Sequence, residues 1–252
     1  MAILHSKVIG DGPVLVLLHG FLCSSVIWEK LIPTLKKNHK IVLIDLPGHG
    51  NSNNINVNTI DQIAELVINT ITKLKINKCS VLGHSMGGYI ALAMAYHKRN
   101  RIDRLILLNS TPFADSREKK LNRDRAIVAV QNTHQLFVRQ FIPGLFSKEN
   151  LDRCKKDIQV LQDEASKVSS EVIINGLKAM RDRKEYLNDL IEMGMNINII
   201  IGKEDPVIDS GLLLESLQGK ERINIDLIKN SGHMSFYEKP EICSELITGA
   251  LC

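Results

Sequence analysis

Ser80-Val81-Leu82-Gly83-His84-Ser85-Met86-Gly87-Gly88-Tyr89 is the stretch on which the reading of this chain turns. A short β-rich run passes through Gly-His-Ser-Met-Gly into an alanine-rich segment of helical character, Gly87 to His97. A serine on a sharp strand-to-helix turn sits in strained dihedrals and brings neighbouring backbone into the space a Cβ would fill. Gly83, Gly87 and Gly88 leave that space free. The turn also sets Ser85 at a helix N-terminus, where free N–H groups and the helix dipole favour developing negative charge. A bare G-x-S-x-G is common by chance, whereas one flanked by a strand and a helix is the pattern of a nucleophile elbow.

Outward from this segment, Val14 to Leu18, Ile41 to Asp45, Leu105 to Asn109, Ile197 to Ile201 and Asn224 to Ile228 repeat the run of Ser80 to Gly83. All are short and mostly Val, Ile and Leu. Continuous apolar runs suit strands covered on both faces, as in a parallel sheet between helices. Amphipathic stretches such as Ile60 to Leu74 lie between them, and the βαβα order predicts an α/β fold with a mainly parallel, doubly wound sheet. From Thr111 to Asp189 the rhythm changes to helical periods over Arg125 to Phe141, Leu151 to Ala165 and Glu171 to Met180, with no strand. The expected organisation is a core of residues 1–110 and 190–252, with residues 111–189 inserted as a helical cap over the strand C-termini, where open α/β sheets bind their ligands.

A serine hydroxyl is a poor nucleophile until a base takes its proton, so a histidine is expected on a loop after a late strand. His233 supplies it, in Asn230-Ser231-Gly232-His233-Met234 after the run Ile223 to Ile228 and before a helix starting near Pro240. His84 lies inside the elbow, His97 and His134 fall in helical patterns, and His5 and His39 are peripheral. The acid that orients the imidazole should lie between serine and histidine in chain order. Asp205 fits, in Gly202-Lys203-Glu204-Asp205-Pro206 directly after Ile197 to Ile201; Glu204 and Asp209 compete, and Asp209 also reads as a helix cap. After the preceding strand, Asn109-Ser110-Thr111-Pro112 holds no carboxylate. Backbone donors for a tetrahedral oxyanion are expected from Met86 N–H and, in His19-Gly20-Phe21-Leu22, from Phe21 N–H. Phe137, Phe141, Ile142, Pro143, Leu145 and Phe146 form an apolar cluster of the cap suited either to an acyl chain or to packing of the cap on the core, and Phe137, Phe141 and Phe146 are expected to line the substrate pocket.

At 252 residues one catalytic domain is expected. No apolar run reaches membrane-span length and no secretory signal is read at the start. Cys23, Cys79, Cys154, Cys243 and Cys252 are scattered without metal-ligand spacing, which predicts reduced thiols in the cytoplasm and no metal or cofactor. Cys23, close to the expected site, reads as packing or as a reactive thiol. A net charge of +4 without basic runs interleaved with aromatics argues against nucleic acid. Residues 111–190 carry 15 Lys and Arg against 12 Asp and Glu, an excess that hints at an acidic substrate or an acidic carrier protein.

With elbow, His-Gly loop, later acid and final histidine in place, the chain resembles the α/β-hydrolase superfamily over essentially its whole length, as a small single-cap serine hydrolase of the carboxylesterase kind. Asp45-Leu46-Pro47-Gly48-His49-Gly50-Asn51-Ser52 adds a fifth match, the D-x-P-G-x-G-x-S turn of such members, read as structural. The resemblance implies hydrolysis of a small carboxylic ester by a Ser-His-Asp triad through an acyl-enzyme. Ser85 argues against the haloalkane dehalogenase and epoxide hydrolase branches, which need a carboxylate nucleophile. Members of this build include carboxylesterases, methyl ester esterases that trim carrier-bound pimeloyl groups, C–C bond hydrolases and the menaquinone-pathway synthase that eliminates pyruvate. A second reading therefore keeps the triad for C–C cleavage or elimination, with Arg123, Arg125 or Arg139 facing the pocket to bind a polycarboxylate. A third is a ligand receptor without turnover.

Overall fold

The computed structural model describes residues 2–252. Among these residues seven strands are present: β1 (Ser6–Ile9), β2 (Val14–Leu18), β3 (Lys40–Ile44), β4 (Cys79–His84), β5 (Ile102–Leu108), β6 (Asn196–Gly202) and β7 (Ile223–Ile228). They form one sheet in the order β1-β3-β2-β4-β5-β6-β7, in which only β1 runs antiparallel to its neighbour. Each of the six runs became a strand: the inner strands are covered on both faces and bury their apolar side chains, whereas β7, at the sheet edge, carries Asn224 and Asp226 and is only partly buried. Leu15 to Leu18 and Leu105 to Leu108 are fully buried. The sequence reading missed β1: four residues long and half-exposed on the sheet edge, it has no such run to display.

Among the described residues ten α-helices accompany the sheet: α1 (Ile32–Leu35), α2 (Ile60–Lys73), α3 (Met86–His97), α4 (Arg117–Phe141), α5 (Lys155–Ala165), α6 (Ser170–Arg181), α7 (Leu187–Glu192), α8 (Ser210–Leu217), α9 (Ser235–Glu238) and α10 (Pro240–Leu251). α2 buries Ile60, Ile63, Ala64, Val67, Ile68 and Ile71, the spacing of one helical face, and Thr59 caps it by accepting from Gln62 N–H. α3 is buried from Met86 to Ala95, apolar on all sides because it is packed on all sides. Helices α4 to α7 fall between β5 and β6. α4 starts at Arg117, well before the expected Arg125, because Ser116 caps it and its first turns carry no apolar face to reveal them; non-helical dihedrals at Thr133 then break it. No helix of the described residues is long and apolar enough to cross a membrane.

The sheet order creates the site. The chain leaves β2 for β3 on one side and returns to lay β4 on the other, so the segments leaving the C-terminal ends of β2 and β4 diverge around a crevice.

Candidate active site

Ser85 follows β4 immediately and opens α3 with φ 53° and ψ −117°, a conformation that costs an L-residue on the order of 1–3 kcal/mol and persists only where its surroundings enforce it. They do so from both sides. Ser85 N–H donates to Leu108 O at 3.0 Å, and its carbonyl accepts from Ser110 Oγ at 2.8 Å and Gly88 N–H at 2.9 Å. A Cβ at Gly83 would stand 2.3 Å from Gly87 O, and one at Gly87 would stand 2.2 Å from Leu18 O. The glycines of the elbow are therefore required by close backbone approach.

Ser85 Oγ lies 2.8 Å from His233 Nε2, and His233 Nδ1 lies 2.8 Å from Asp205 Oδ2. Asp205 leaves the end of β6 and His233 the loop after β7, so three side chains from three strand ends meet in one line. Asp205 also accepts from Asn109 Nδ2 at 2.9 Å, Val207 N–H at 2.8 Å and Ile208 N–H at 3.0 Å. Burial alone would raise its carboxyl. The charge of His233 and the hydrogen bonds from His233, Asn109 and Val207 outweigh that and hold it below its usual range. An ionised Asp205 puts the imidazole proton on Nδ1, which leaves Nε2 free to accept from the Ser85 hydroxyl. Of the competing acids, Glu204 accepts from Ser231 N–H and Asp209 caps α8 through Leu212 N–H.

The loop His19-Gly20-Phe21 after β2 packs against the elbow closely enough that a Cβ on Gly20 would stand 3.2 Å from Ser85 Cβ. Among the described residues neither Phe21 N–H nor Met86 N–H is donated to a protein acceptor, which leaves both available. Buried histidines hold the loop. His19 donates Nδ1–H to Gly20 O and accepts Leu46 N–H at Nε2, while His49 donates to Pro47 O and accepts Leu22 N–H. Asp45 accepts from Ser25 and Asn51 N–H. The Asp45–Ser52 turn thus ties β3 to the loop.

Burial, reinforced by a neighbouring histidine, lowers His19 to about 3 and His84 to about 3. Both are neutral when folded, whereas the unfolded chain takes up a proton at each near 6.5. Between those values the unfolded state binds more protons, so stability falls as pH falls. Lowering the pH from about 7 to about 5 is expected to cost about 2 kcal/mol for each of the two residues. Urea midpoints at the two pH values measure it, and coincident midpoints would contradict the assignment of neutral buried rings.

A cavity of about 310 Å³ opens beside Ser85 and His233. Phe137 and Phe141 line it, as expected, with Phe21, Leu177 and Met180. Phe146 does not: the 3₁₀ turn Pro143–Leu145 presents Leu145 to the cavity, and the extended residue after it is buried outside the lining. Cys23 also lines the cavity, but burial pushes its thiol up to about 12, which removes the thiolate a reactive cysteine needs. Of the three arginines, only Arg123 lines the cavity; Arg125 and Arg139 are exposed, and Arg125 is bonded to Asn122.

The sequence reading missed two further parts of the site. Asn109, taken only as a position without a carboxylate, bonds Asp205 and Gly232 O. Glu238, fully buried, accepts from Gly232 N–H and Met234 N–H on Oε1 and from Ser147 N–H and Asn150 Nδ2 on Oε2. It fastens the backbone on both sides of His233 to the segment before α5. A lone acid directly after Met234-Ser235-Phe236-Tyr237 was its only signal.

A family profile described as alpha/beta hydrolase fold matches residues 13–133. The chain is 34% identical over 252 residues to the pimeloyl-[acyl-carrier protein] methyl ester esterase of Nitrosomonas europaea, covering 96% of each, and 30% identical to the protein of that name in Nitrosospira multiformis, covering 94% of each. A thermophilic esterase from Thermogutta terrifontis shares the fold with a TM-score of 0.91 at 24% identity, over 98% of this chain and 92% of that one. With identity of this extent running end to end, and the sheet order and strand-end site just described, the chain belongs to the alpha/beta hydrolase fold family and is a hydrolase.

Proposed function

We propose that the chain hydrolyses small carboxylic esters through Ser85, His233 and Asp205 by way of an acyl-enzyme. The observation that carries this is the pair of 2.8 Å contacts linking hydroxyl, imidazole and buried carboxylate. In this reading Ser85 Oγ attacks the ester carbonyl carbon while its proton passes to His233 Nε2, and Phe21 and Met86 N–H receive the oxyanion. Collapse breaks the bond to the alcohol, which takes that proton. Water then attacks the acyl-serine, again giving its proton to His233, and the released acid leaves Ser85 reprotonated. Residues 111–189 act as the cap that roofs the cavity, and a short acyl group occupies the Phe137 and Phe141 side.

The relatives from Nitrosomonas and Nitrosospira are named for methyl esters of an acyl group on a carrier protein, which supports a methyl or other short alkyl leaving group here. The excess of Lys and Arg in residues 111–190 supports an acidic carrier as partner. Five free cysteines suit a reducing compartment such as the cytoplasm.

Labelling with a fluorophosphonate followed by peptide mass analysis tests the reading. The adduct is expected on Ser85 alone, and an unlabelled Ser85 in folded protein would sink it.

A further inference from the structure

The cavity beside Ser85 has a cationic wall that ester hydrolysis by itself does not require. Lys119 and Arg123, one turn apart on α4, line it together with Asn122, while Phe137, Phe141, Leu177 and Met180 make other parts of the lining apolar. Two buried residues join the cations. Asp115 accepts from Arg123 Nε at 3.1 Å and from Arg183 Nη1 at 2.7 Å, so a single carboxylate is divided between two guanidinium groups. Arg183 also donates to Met180 O and Phe113 O from its two η nitrogens and lies over the Tyr89 ring. Arg123 has no such outlet: its side chain is 18% exposed, and among the described residues its η nitrogens meet no acceptor. Lys119 gives one proton to Val207 O at 3.1 Å and has two left.

Three cations thus face one buried carboxylate, and Asp209, the other acid near Lys119, is committed to the cap of α8. Burial is the largest influence on Lys119 and draws its ammonium below the usual range; Asp115 resists, and Arg183 and Arg123 add to the lowering. Holding this charge in a partly dewatered pocket is costly, and an anion placed there would offset the cost.

Resting on the ester-hydrolase reading of Ser85, we propose that Lys119 and Arg123 form an anion subsite, and that the preferred substrates are monoesters of short dicarboxylic acids. The ester group meets Ser85, the methylenes lie along the apolar lining, and a free carboxylate, in place of a carrier-bound end of the acyl group, reaches the two cations. A cavity of about 310 Å³ is at the low end for small-molecule sites and suits a short chain.

The test compares kcat/KM for monomethyl adipate with that for methyl hexanoate, which carries a methyl group where the other carries its carboxylate. The wild-type enzyme is expected to favour the anionic ester by about tenfold or more, as hydrogen bonds to charged groups ordinarily do. Lys119→Met should cut that ratio about tenfold, mainly through KM, while Lys119→Arg keeps most of it and added salt reduces it. Arg123→Gln supplies the same comparison should Lys119→Met fail to fold. Turnover of methyl hexanoate with no preference for the anion, or a ratio that Lys119→Met leaves in place, overturns the subsite alone. Turnover of neither ester overturns the short-ester reading of Ser85 and the subsite with it.

Discussion

Replacing Ser85 with alanine is expected to lower kcat on a short alkyl ester by about 10⁶-fold, the loss typical when a serine nucleophile is removed from a linked set of catalytic groups. The hydroxyl is the one group here that both touches His233 Nε2, at 2.8 Å, and reaches the cavity. Without it the imidazole has no alcohol to activate. The Phe21 and Met86 N–H groups remain, so a residual rate of about 10³-fold over uncatalysed hydrolysis is expected to persist. Folding should change little, since alanine keeps the backbone strain of the elbow and only one part-buried hydrogen bond is lost, worth about 1 kcal/mol. Steady-state kinetics on folded protein, paired with thermal unfolding, measure both. A kcat within tenfold of wild type would place the nucleophile elsewhere.

Asp205→Asn is expected to lower kcat by about 10⁴-fold with little change in KM. The hydrogen bonds around residue 205 dictate the outcome. Val207 and Ile208 N–H both point at Oδ1, so an asparagine keeps its carbonyl oxygen there and turns its NH₂ toward the place of Oδ2. That NH₂ faces two former donors, Asn109 Nδ2 and His233 Nδ1. His233 relieves the conflict by moving its proton to Nε2, and an Nε2–H cannot take the proton of Ser85. The tautomer, rather than the position of the ring, is what the carboxylate controls. Retention of kcat within tenfold in this variant would remove Asp205 from the mechanism and turn attention to Glu204, which bonds Ser231 N–H nearby.

Much of this architecture was legible because it is local. The parallel strands announce themselves as short, mostly apolar runs, and the elbow announces itself as glycines spaced around a serine between a strand and a helix. Asp205 and His233 could be proposed because each follows a strand within a few residues, with a glycine shortly before it. β1 escaped notice because a short edge strand needs no continuous apolar run. The first turns of α4 escaped because their side chains face water and polar partners. Leu145 and Phe146 stood together in one apolar cluster, and the 3₁₀ turn before Phe146 decided that Leu145 is the one that lines the cavity.

By itself the sequence determined the strand–helix order, the strained serine and the chain order of serine, acid and histidine, since each depends on backbone preferences over a few residues. Only the tertiary structure decided that Ser85 and His233, 148 residues apart, stand 2.8 Å from each other. It also decided that Glu238 secures the histidine loop from within and that Lys119 and Arg123 meet at one wall. Those pairings depend on which strand ends the sheet order sets side by side and on buried polar groups seeking partners across the fold, and neither is written in any short stretch of chain.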